Sequence, residues 1–195
     1  MNELTIAQSE LILGGQKSGK SRRAELLART WLAAAPQHRA TLLATAQPWD
    51  EEMRERIARH QRERAERVPG LQTVEEPLHL AEAIAVHSRP ETLLVVDCLT
   101  LWLTNLLMPA ENSEANRAPA LDAQASAALL LGAIREAAGP LVLVGNEIGL
   151  GVIPLGREVR AFVDALGRLN QDVAQACTRV TLMAAGLPLT LKGAA

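Results

Sequence analysis

The segment Gly14-Gly-Gln-Lys-Ser-Gly-Lys-Ser21 constrains the fold of this chain more than any other feature. It fits the pattern G-x-x-x-x-G-K-[ST], in which main-chain N–H groups surround phosphate oxygens. Gly14, Gly15 and Gly19 permit the backbone angles that turn those N–H groups inward. An apolar run, Leu11–Leu13, precedes the segment and a helical stretch follows it, so we predict a strand, a phosphate-binding loop (P-loop) and a helix in that order.

Each part of this loop has an expected role. Lys20 is predicted to reach the β- and γ-phosphates, and Ser21 to supply a hydroxyl ligand to Mg²⁺. The helix that follows adds the positive end of its dipole. The predicted phosphate-binding residues are Gly14, Gly15, Gln16, Lys17, Ser18, Gly19, Lys20 and Ser21.

A second acidic group is expected near the metal. Asp97 follows the apolar run Leu93–Val96 and is therefore predicted at the carboxyl end of a strand, where ligands of α/β proteins bind. We interpret it as a metal or nucleotide ligand. An N-cap for a helix beginning near Cys98 is the alternative, and both roles are compatible.

Short apolar runs alternate with amphipathic stretches along the chain, which predicts an α/β fold with a mostly parallel central sheet and helices on both faces. We expect a single domain over residues 1–195, with a mobile surface loop at Met108–Pro119. The predicted strands are Leu11–Leu13, Ala40–Ala44, Leu71–Val74, Leu93–Val96, Leu141–Val144 and Val180–Met183, with Leu187–Leu191 as a terminal hairpin strand. The predicted helices cover 20–34, 51–67, 77–87, 120–138 and 157–177.

Composition excludes several classes of protein. A net charge of −2, no Tyr and a single Phe argue against nucleic-acid binding, which needs basic surface or stacking aromatics. Cys98 and Cys177 are far apart in the sequence, and neither belongs to a C-x-x-C motif. This indicates buried thiols of a reduced compartment. No apolar stretch is long enough to span a membrane, so we expect a cytoplasmic protein.

The stretch Asp50–Arg67 is dense in charge, and such a run is usually a solvated helix face. His60 differs because Arg56 and Arg64 each lie four residues away on a helix, and neighbouring cations lower the pKa of an imidazole and favour its nucleophilic form. From these residues alone a structural or solvated role for His60 is favoured over a chemical one. His38, His79 and His87 have no comparable setting.

Taken together, these segments resemble one family, the bifunctional adenosylcobinamide kinase / adenosylcobinamide-phosphate guanylyltransferase of cobalamin biosynthesis. The resemblance covers almost the whole chain in order. Its most specific parts are the R-I-x-x-H helix ending at His60 and the N-E-x-G-x-G-x-x-P loop from Asn146. The matching stretches are Leu13–Arg23, Ala44–Ala46, Asp50–His60, Thr73–Pro77, Val96–Leu107, Val144–Pro154 and Gly186–Lys192.

The resemblance implies two reactions. The aminopropanol hydroxyl of adenosylcobinamide, a corrinoid, takes a phosphoryl group from ATP or GTP; GTP then gives its guanylyl group to a histidine, and from there to the phosphorylated corrinoid. The family histidine falls on His60, and the family fold is a RecA-like P-loop domain that forms a homotrimer. Beyond the loop, the implied nucleotide-binding residues are Ala44, Thr45, Ala46, Gln61, Arg62, Glu63, Arg64, Glu75 and Asp97.

Some assignments stay open at this point. Asn146 and Glu147 follow a predicted strand and belong either to a ligand site or to an ordinary helix-entry loop. Arg157 and Arg160 contact either the acceptor phosphate or a neighbouring subunit. A simple P-loop small-molecule kinase without histidine chemistry, or a regulatory NTPase, would leave His60 and the Asn146 loop idle.

Overall fold

The computed structural model describes residues 4–48, 50–108, 123–152 and 154–193. Strands and helices alternate along them as the apolar runs predict. The strands are β1 Ser9–Gly14, β2 Arg39–Ala44, β3 Leu71–Glu75, β4 Thr92–Asp97, β5 Leu141–Val144, β6 Arg179–Ala184 and β7 Leu187–Lys192. The helices are α1 Lys20–Ala34, α2 Glu51–Arg67, α3 Leu80–His87, α4 Leu99–Leu107, α5 Ala123–Glu136 and α6 Arg157–Ala176.

The described strands form one seven-stranded sheet in the order β3-β2-β4-β5-β1-β6-β7. Every neighbouring pair is parallel except β6 and β7, which form the predicted antiparallel hairpin. Buried side chains of α1 pack on one face, with Val68 after α2, and those of α3 to α6 pack on the other. The mostly parallel sheet with helices on both faces is therefore confirmed, and the carboxyl ends of β1 to β6 meet at one edge.

Two helices differ from the sequence expectation. The helix expected over 77–87 begins at Leu80, because the Glu76 carboxylate accepts hydrogen bonds from the main-chain N–H groups of Leu78 and His79 and holds them in a turn. Helix α4 was raised only as the alternative role for Asp97 and is absent from the predicted helices, because its apolar residues follow closely on those of β4. The predicted loop after Met108 and the first three residues of the helix expected at 120–138 lie outside the described residues.

The two cysteines behave as predicted. Cys98 and Cys177 are free and buried. Burial raises the pKa of the Cys98 thiol to about 11 and that of Cys177 to about 12, so both are neutral thiols at physiological pH. No described helix is both long and apolar enough to cross a bilayer.

A buried carboxylate fixes α1 to the sheet. Glu10 of β1 is 1% exposed and lies 3.0 Å from the Arg23 guanidinium in the first turn of α1. Arg179 of β6 lies 3.5 Å from the same carboxylate, and the Thr181 hydroxyl donates to it at 2.8 Å. Arg179 also donates to the main-chain carbonyl of Thr5. One acidic side chain therefore joins β1, β6, the N-terminal segment and the helix that follows the P-loop.

We expect Glu10→Gln to lower the free energy of unfolding by about 3–5 kcal/mol, because it leaves two buried guanidinium groups without a counter-charge. Denaturant unfolding followed by circular dichroism measures the change. Glu51→Gln is the matched control, since Glu51 pairs with Arg54 on a well exposed helix face and should cost less than about 1 kcal/mol. Equal effects of the two substitutions would contradict this account.

Candidate functional site

Two glycines shape the loop after β1. Gly14 has φ 153° and Gly19 has φ 102°, backbone conformations that residues other than glycine rarely adopt. A Cβ at Gly14 would also lie 2.5 Å from the Met183 carbonyl oxygen. Gly15 was expected to share this requirement, but its φ is ordinary and open space surrounds the position of a Cβ.

The loop leaves the start of α1 available to an anion. Gly19 is the N-cap residue, so no side chain caps the helix, and no acidic residue lies in its first turn. Lys20 is 7% exposed, and its Nζ donates to the Gly15 carbonyl at 2.7 Å across the loop. Burial lowers the pKa of Lys20, while the nearby Cys98 and Asp97 act in the opposite direction. The first turn therefore combines uncapped N–H groups with a lysine that an entering phosphate would stabilise in its charged form.

Three residues of the predicted site lie in one row at the carboxyl edge of the sheet. Ala44 of β2 is in register with Glu75 of β3 on one side and with Asp97 of β4 on the other. Asp97 is the last residue of β4, and Cys98 rather than Asp97 is the N-cap of α4. The helix-cap alternative for Asp97 is thus wrong, and the negative charge of Asp97 opposes the lowering of the Lys20 pKa by burial.

Thr45 connects the ends of two strands. It is fully buried; its hydroxyl donates to the Cys98 carbonyl at 2.7 Å and accepts from the Cys98 N–H at 2.8 Å. The side-chain amide of Asn105 donates to the Thr45 carbonyl. The hydroxyl and the carbonyl of Thr45 therefore bond within the protein and fix the shape of this edge of the sheet. The predicted contact between Thr45 and the nucleotide stays a prediction.

Helix α2 is held to the rest of the fold by polar contacts. The Asp50 carboxylate accepts from the Met53 N–H and caps the helix. Gln61 donates to the Glu75 carboxylate at 3.3 Å, which brings together two residues of the implied nucleotide site. The other described members are placed as follows: Arg64 lies 3.9 Å from Glu25 of α1, Glu63 lies 3.5 Å from Arg67, and Arg62 is exposed.

His60 is exposed on α2, one residue before Gln61. Arg64, which lies four residues after His60 on the helix, reaches Glu25 together with Arg67, at 3.9 and 2.9 Å. Burial raises the pKa of Glu25, and the two arginines oppose that shift. The ion pairs place α2 beside α1.

These contacts join α1 and α2 at a defined point of each helix. Glu25 of α1 lies beside Arg64 of α2. Lys20 precedes Glu25 by five residues, about 7.5 Å along α1, and His60 precedes Arg64 by four residues, about 6 Å along α2. Lys20 and His60 therefore both lie between the Glu25 contact and the start of their own helix, or at that start.

The loop after β5 is packed against the P-loop. The Glu147 N–H donates to the Gly14 carbonyl at 3.1 Å, and the Asn146 N–H donates to the Thr100 hydroxyl at 2.9 Å. Helix α6 begins only at Arg157, so Asn146 and Glu147 are not a helix-entry turn. Arg160 bonds to the carbonyls of Pro154 and Leu155, and both Arg157 and Arg160 are exposed.

The chain is similar to known proteins over almost its whole length. A family model described as cobinamide kinase / cobinamide phosphate guanyltransferase matches residues 10–191. The chain belongs to this family. It is 46% identical over 184 residues to the bifunctional adenosylcobalamin biosynthesis protein CobP of Pseudomonas aeruginosa, covering 94% of this chain and 97% of that protein. It is 34% identical over 189 residues to the bifunctional adenosylcobalamin biosynthesis protein CobU of Escherichia coli, covering 93% and 98%.

A solved structure supports the fold independently of close sequence similarity. The flagellar accessory protein FlaH from Methanocaldococcus jannaschii superposes with a TM-score of 0.50 at 12% identity, covering 97% of this chain and 80% of that chain. The likeness is one of fold, and it agrees with an α/β architecture built on a mostly parallel sheet. Membership of the cobinamide kinase / guanyltransferase family makes the chain a bifunctional enzyme of cobalamin biosynthesis, which decides against the regulatory NTPase.

We expect Thr45→Val to destabilise the fold by about 1–3 kcal/mol for each Cys98 main-chain group that it leaves unpaired. Nucleotide affinity should fall as well, because Ala44, Thr45 and Asp97 share one edge. Thermal unfolding and nucleotide titration measure the two effects. In the control, Thr104→Val removes a hydroxyl that bonds to a carbonyl of its own helix and should change stability by less than about 1 kcal/mol. An unchanged melting temperature in Thr45→Val would refute the bridging role.

Proposed function

We propose that this enzyme phosphorylates adenosylcobinamide with ATP or GTP as donor and then transfers GMP from GTP to the product through a guanylyl-histidine at His60. The observation that carries this proposal is the pairing of two helices. Helix α1 brings an uncapped N-terminus and Lys20, and α2, which is joined to α1 through the ion pairs of Glu25, carries His60. This pairing supports phosphate binding and a nucleophile within one site.

In the first step, the acceptor oxygen bonds to the γ-phosphorus and the bond to the bridging oxygen breaks, so the nucleoside diphosphate leaves with that electron pair. The loop amides and Lys20 stabilise charge that builds on the phosphate oxygens. The buried position of Lys20 strengthens this attraction because water screens it poorly. The products are adenosylcobinamide phosphate and the nucleoside diphosphate.

In the second step, a ring nitrogen of His60 bonds to the α-phosphorus of GTP, and pyrophosphate leaves with the electron pair of the broken bond. An oxygen of the corrinoid phosphate then displaces the histidine, which gives adenosyl-GDP-cobinamide and regenerates the imidazole. A covalent intermediate divides one difficult displacement into two easier ones. Gln61, Arg62, Glu63, Arg64 and Glu75 are the proposed contacts to this nucleotide, together with Ala44, Thr45 and Ala46.

Mg²⁺ fits the residues present. Among the described residues no group of three or more His, Cys, Asp or Glu side chains forms a complete protein cage. Ser21, the residue after Lys20, instead offers a hydroxyl, and Asp97, whose charge acts on Lys20, offers one carboxylate. Mg²⁺ binds substrate phosphates with such a partial set. When bound, the ion would neutralise charge on the β- and γ-phosphates.

We further propose that the working form is a cytoplasmic homotrimer built from a single domain per subunit. In β7 the side chains of Leu187, Leu189 and Leu191 are 71%, 57% and 56% exposed. Such a run on an edge strand is typical of surfaces covered in an assembly. Two free, buried thiols fit a reducing compartment.

We expect GTP labelled at the α-phosphate to leave label on the protein through an acid-labile, base-stable bond, because a phosphoramidate has that stability. Mass spectrometry of peptides locates the GMP adduct. His60→Ala should abolish labelling, whereas His79→Ala, an exposed histidine that makes no cap bond, should not. Label that persists in His60→Ala would rule out the assigned nucleophile, and absence of any adduct in the wild type would favour a plain kinase.

Lys20→Ala should abolish both phosphorylation of adenosylcobinamide and guanylylation of the protein, with losses of at least about 100-fold in each. The reason is that both donors place their phosphates in the same loop. Product formation by chromatography and the labelling assay measure the two activities. Lys17→Ala removes an exposed lysine of the same loop. Comparison of the two variants shows whether the loss of activity is specific to Lys20 or follows from removal of any positive charge in the loop. Near-normal kinase turnover in Lys20→Ala would place phosphate binding elsewhere.

A further inference from the structure

We infer that Glu147 is the residue that accepts the proton of the acceptor hydroxyl in the kinase step, and that the cleft beside it binds the aminopropanol arm of the corrinoid. This assignment rests on the proposed function. The cleft measures about 390 Å³ and lies against the outer side of the P-loop. Its lining is formed by residues 15–18, Glu147, Leu150 and residues 182–185.

The position of Glu147 suits a reaction at the P-loop. Its main-chain N–H donates to the Gly14 carbonyl, so the residue is tied to the first position of the loop. Its Oε1 accepts from the Gly149 N–H at 2.8 Å, which orients the carboxylate. Oxygen Oε2 is the other atom of this oriented group, and it is the one that we assign to the hydroxyl proton.

The other carboxylates of the site either have another proposed role or lie far from the cleft. Asp97 at the end of β4 acts electrostatically on Lys20 and is the proposed metal ligand. Glu75 accepts from Gln61 on the edge strand β3, four strand spacings from β1, or about 19 Å. Glu147 is the only acidic residue in the described lining of the cleft.

The size of the cleft decides what enters it. Pockets that enclose a whole drug-sized ligand measure roughly 300–1,000 Å³, and this one is at the lower end. A corrinoid macrocycle is larger than such ligands, so it stays outside, whereas a short aliphatic arm with one hydroxyl fits between Leu150 and Leu182. Apolar side chains continue outside the cleft, with Leu150, Val152 and Leu155 82%, 97% and 96% exposed. They offer an apolar surface to the rim of the macrocycle.

The proposed phosphoryl transfer forms one bond to the γ-phosphorus and breaks another. The arm oxygen forms a bond to the γ-phosphorus, the bond from that phosphorus to the β,γ-bridging oxygen breaks, and the nucleoside diphosphate keeps the electron pair. The hydroxyl proton passes to Oε2 of Glu147 and from there to solvent. No oxidant, reductant or further reactant is needed.

Glu147→Gln tests the proton acceptor. The glutamine oxygen can still accept from the Gly149 N–H, but the amide nitrogen cannot take a proton. With ATP and adenosylcobinamide as substrates, kcat of the kinase step should fall at least about 100-fold. Labelling of the protein by GTP should be unchanged, since that half-reaction involves no acceptor hydroxyl. Glu158→Gln, an exposed acid in the first turn of α6, is the matched control.

Leu150→Glu tests the arm site. A charge at the mouth of the cleft should raise KM for adenosylcobinamide at least tenfold and leave KM for ATP unchanged. Val86→Glu, at an exposed apolar position of α3, should change neither.

Three results would overturn the assignment. Glu147→Gln with kinase turnover within threefold of wild type would remove the proton acceptor, and simultaneous loss of GTP labelling would mean general damage to the loop. A rise in KM for ATP instead of adenosylcobinamide in Leu150→Glu would make the cleft a nucleotide site. Failure of the wild type in both activities would instead defeat the proposed function, so the two failures are distinguishable.

Discussion

The first turn of α1 has main-chain N–H groups that nothing in its own sequence caps. Gly19 has no side chain to fold back, and the turn contains no acid. Such a helix start is stable only when an anion or water satisfies its donors. The fold places Lys20 here, Asp97 nearby on β4, and the Glu147 loop against the strand end. The chemistry at this edge follows from leaving that helix end open.

Two buried acids hold the helices that form the site. Glu10 ties Arg23, in the first turn of α1, to the central strand β1, and it shares Arg179 with the neighbouring strand. Glu25, two residues further along α1, holds Arg64 and Arg67 of α2. Buried ion pairs are sensitive to loss of one partner, so each acid contributes to the position of a helix that carries proposed site residues.

Most of the fold could be predicted from the sequence because central strands covered on both faces leave unbroken apolar runs. Strand β1 is longer than its run, since Glu10 is buried by partners on Arg23, Arg179 and Thr181 that no local pattern reveals. The P-loop was predictable because its backbone needs glycine at defined positions. The ion pair of Arg64 was not predictable, because its partner Glu25 is distant in sequence. The residues around His60 distinguished it from the other histidines, but only the resemblance to a family favoured a chemical role.

The same reasoning explains why the loop after β5 stayed ambiguous. Asn146 and Glu147 follow a strand, as many helix-entry turns do. The late start of α6 and the hydrogen bond from Glu147 to Gly14 distinguish the two cases. That contact joins residues more than a hundred positions apart. Long-range main-chain contacts of this kind are set by strand order, which a single sequence specifies only weakly.

Helix α2 has no buried side chain among its described residues, whereas α1 buries Ala24, Leu27 and Ala28 against the sheet. Displacing α1 would uncover apolar surface at about 25 cal/mol per Å². Displacing α2 would uncover little and would chiefly break ion pairs, which salt weakens. Helices α1 and α2 are therefore held in place by different kinds of contact and differ in how easily they are displaced. The P-loop leads into the helix with the larger apolar contact, whereas His60 lies on the helix that is more easily displaced, which suits the proposed transfer of GMP from GTP to a bulky acceptor.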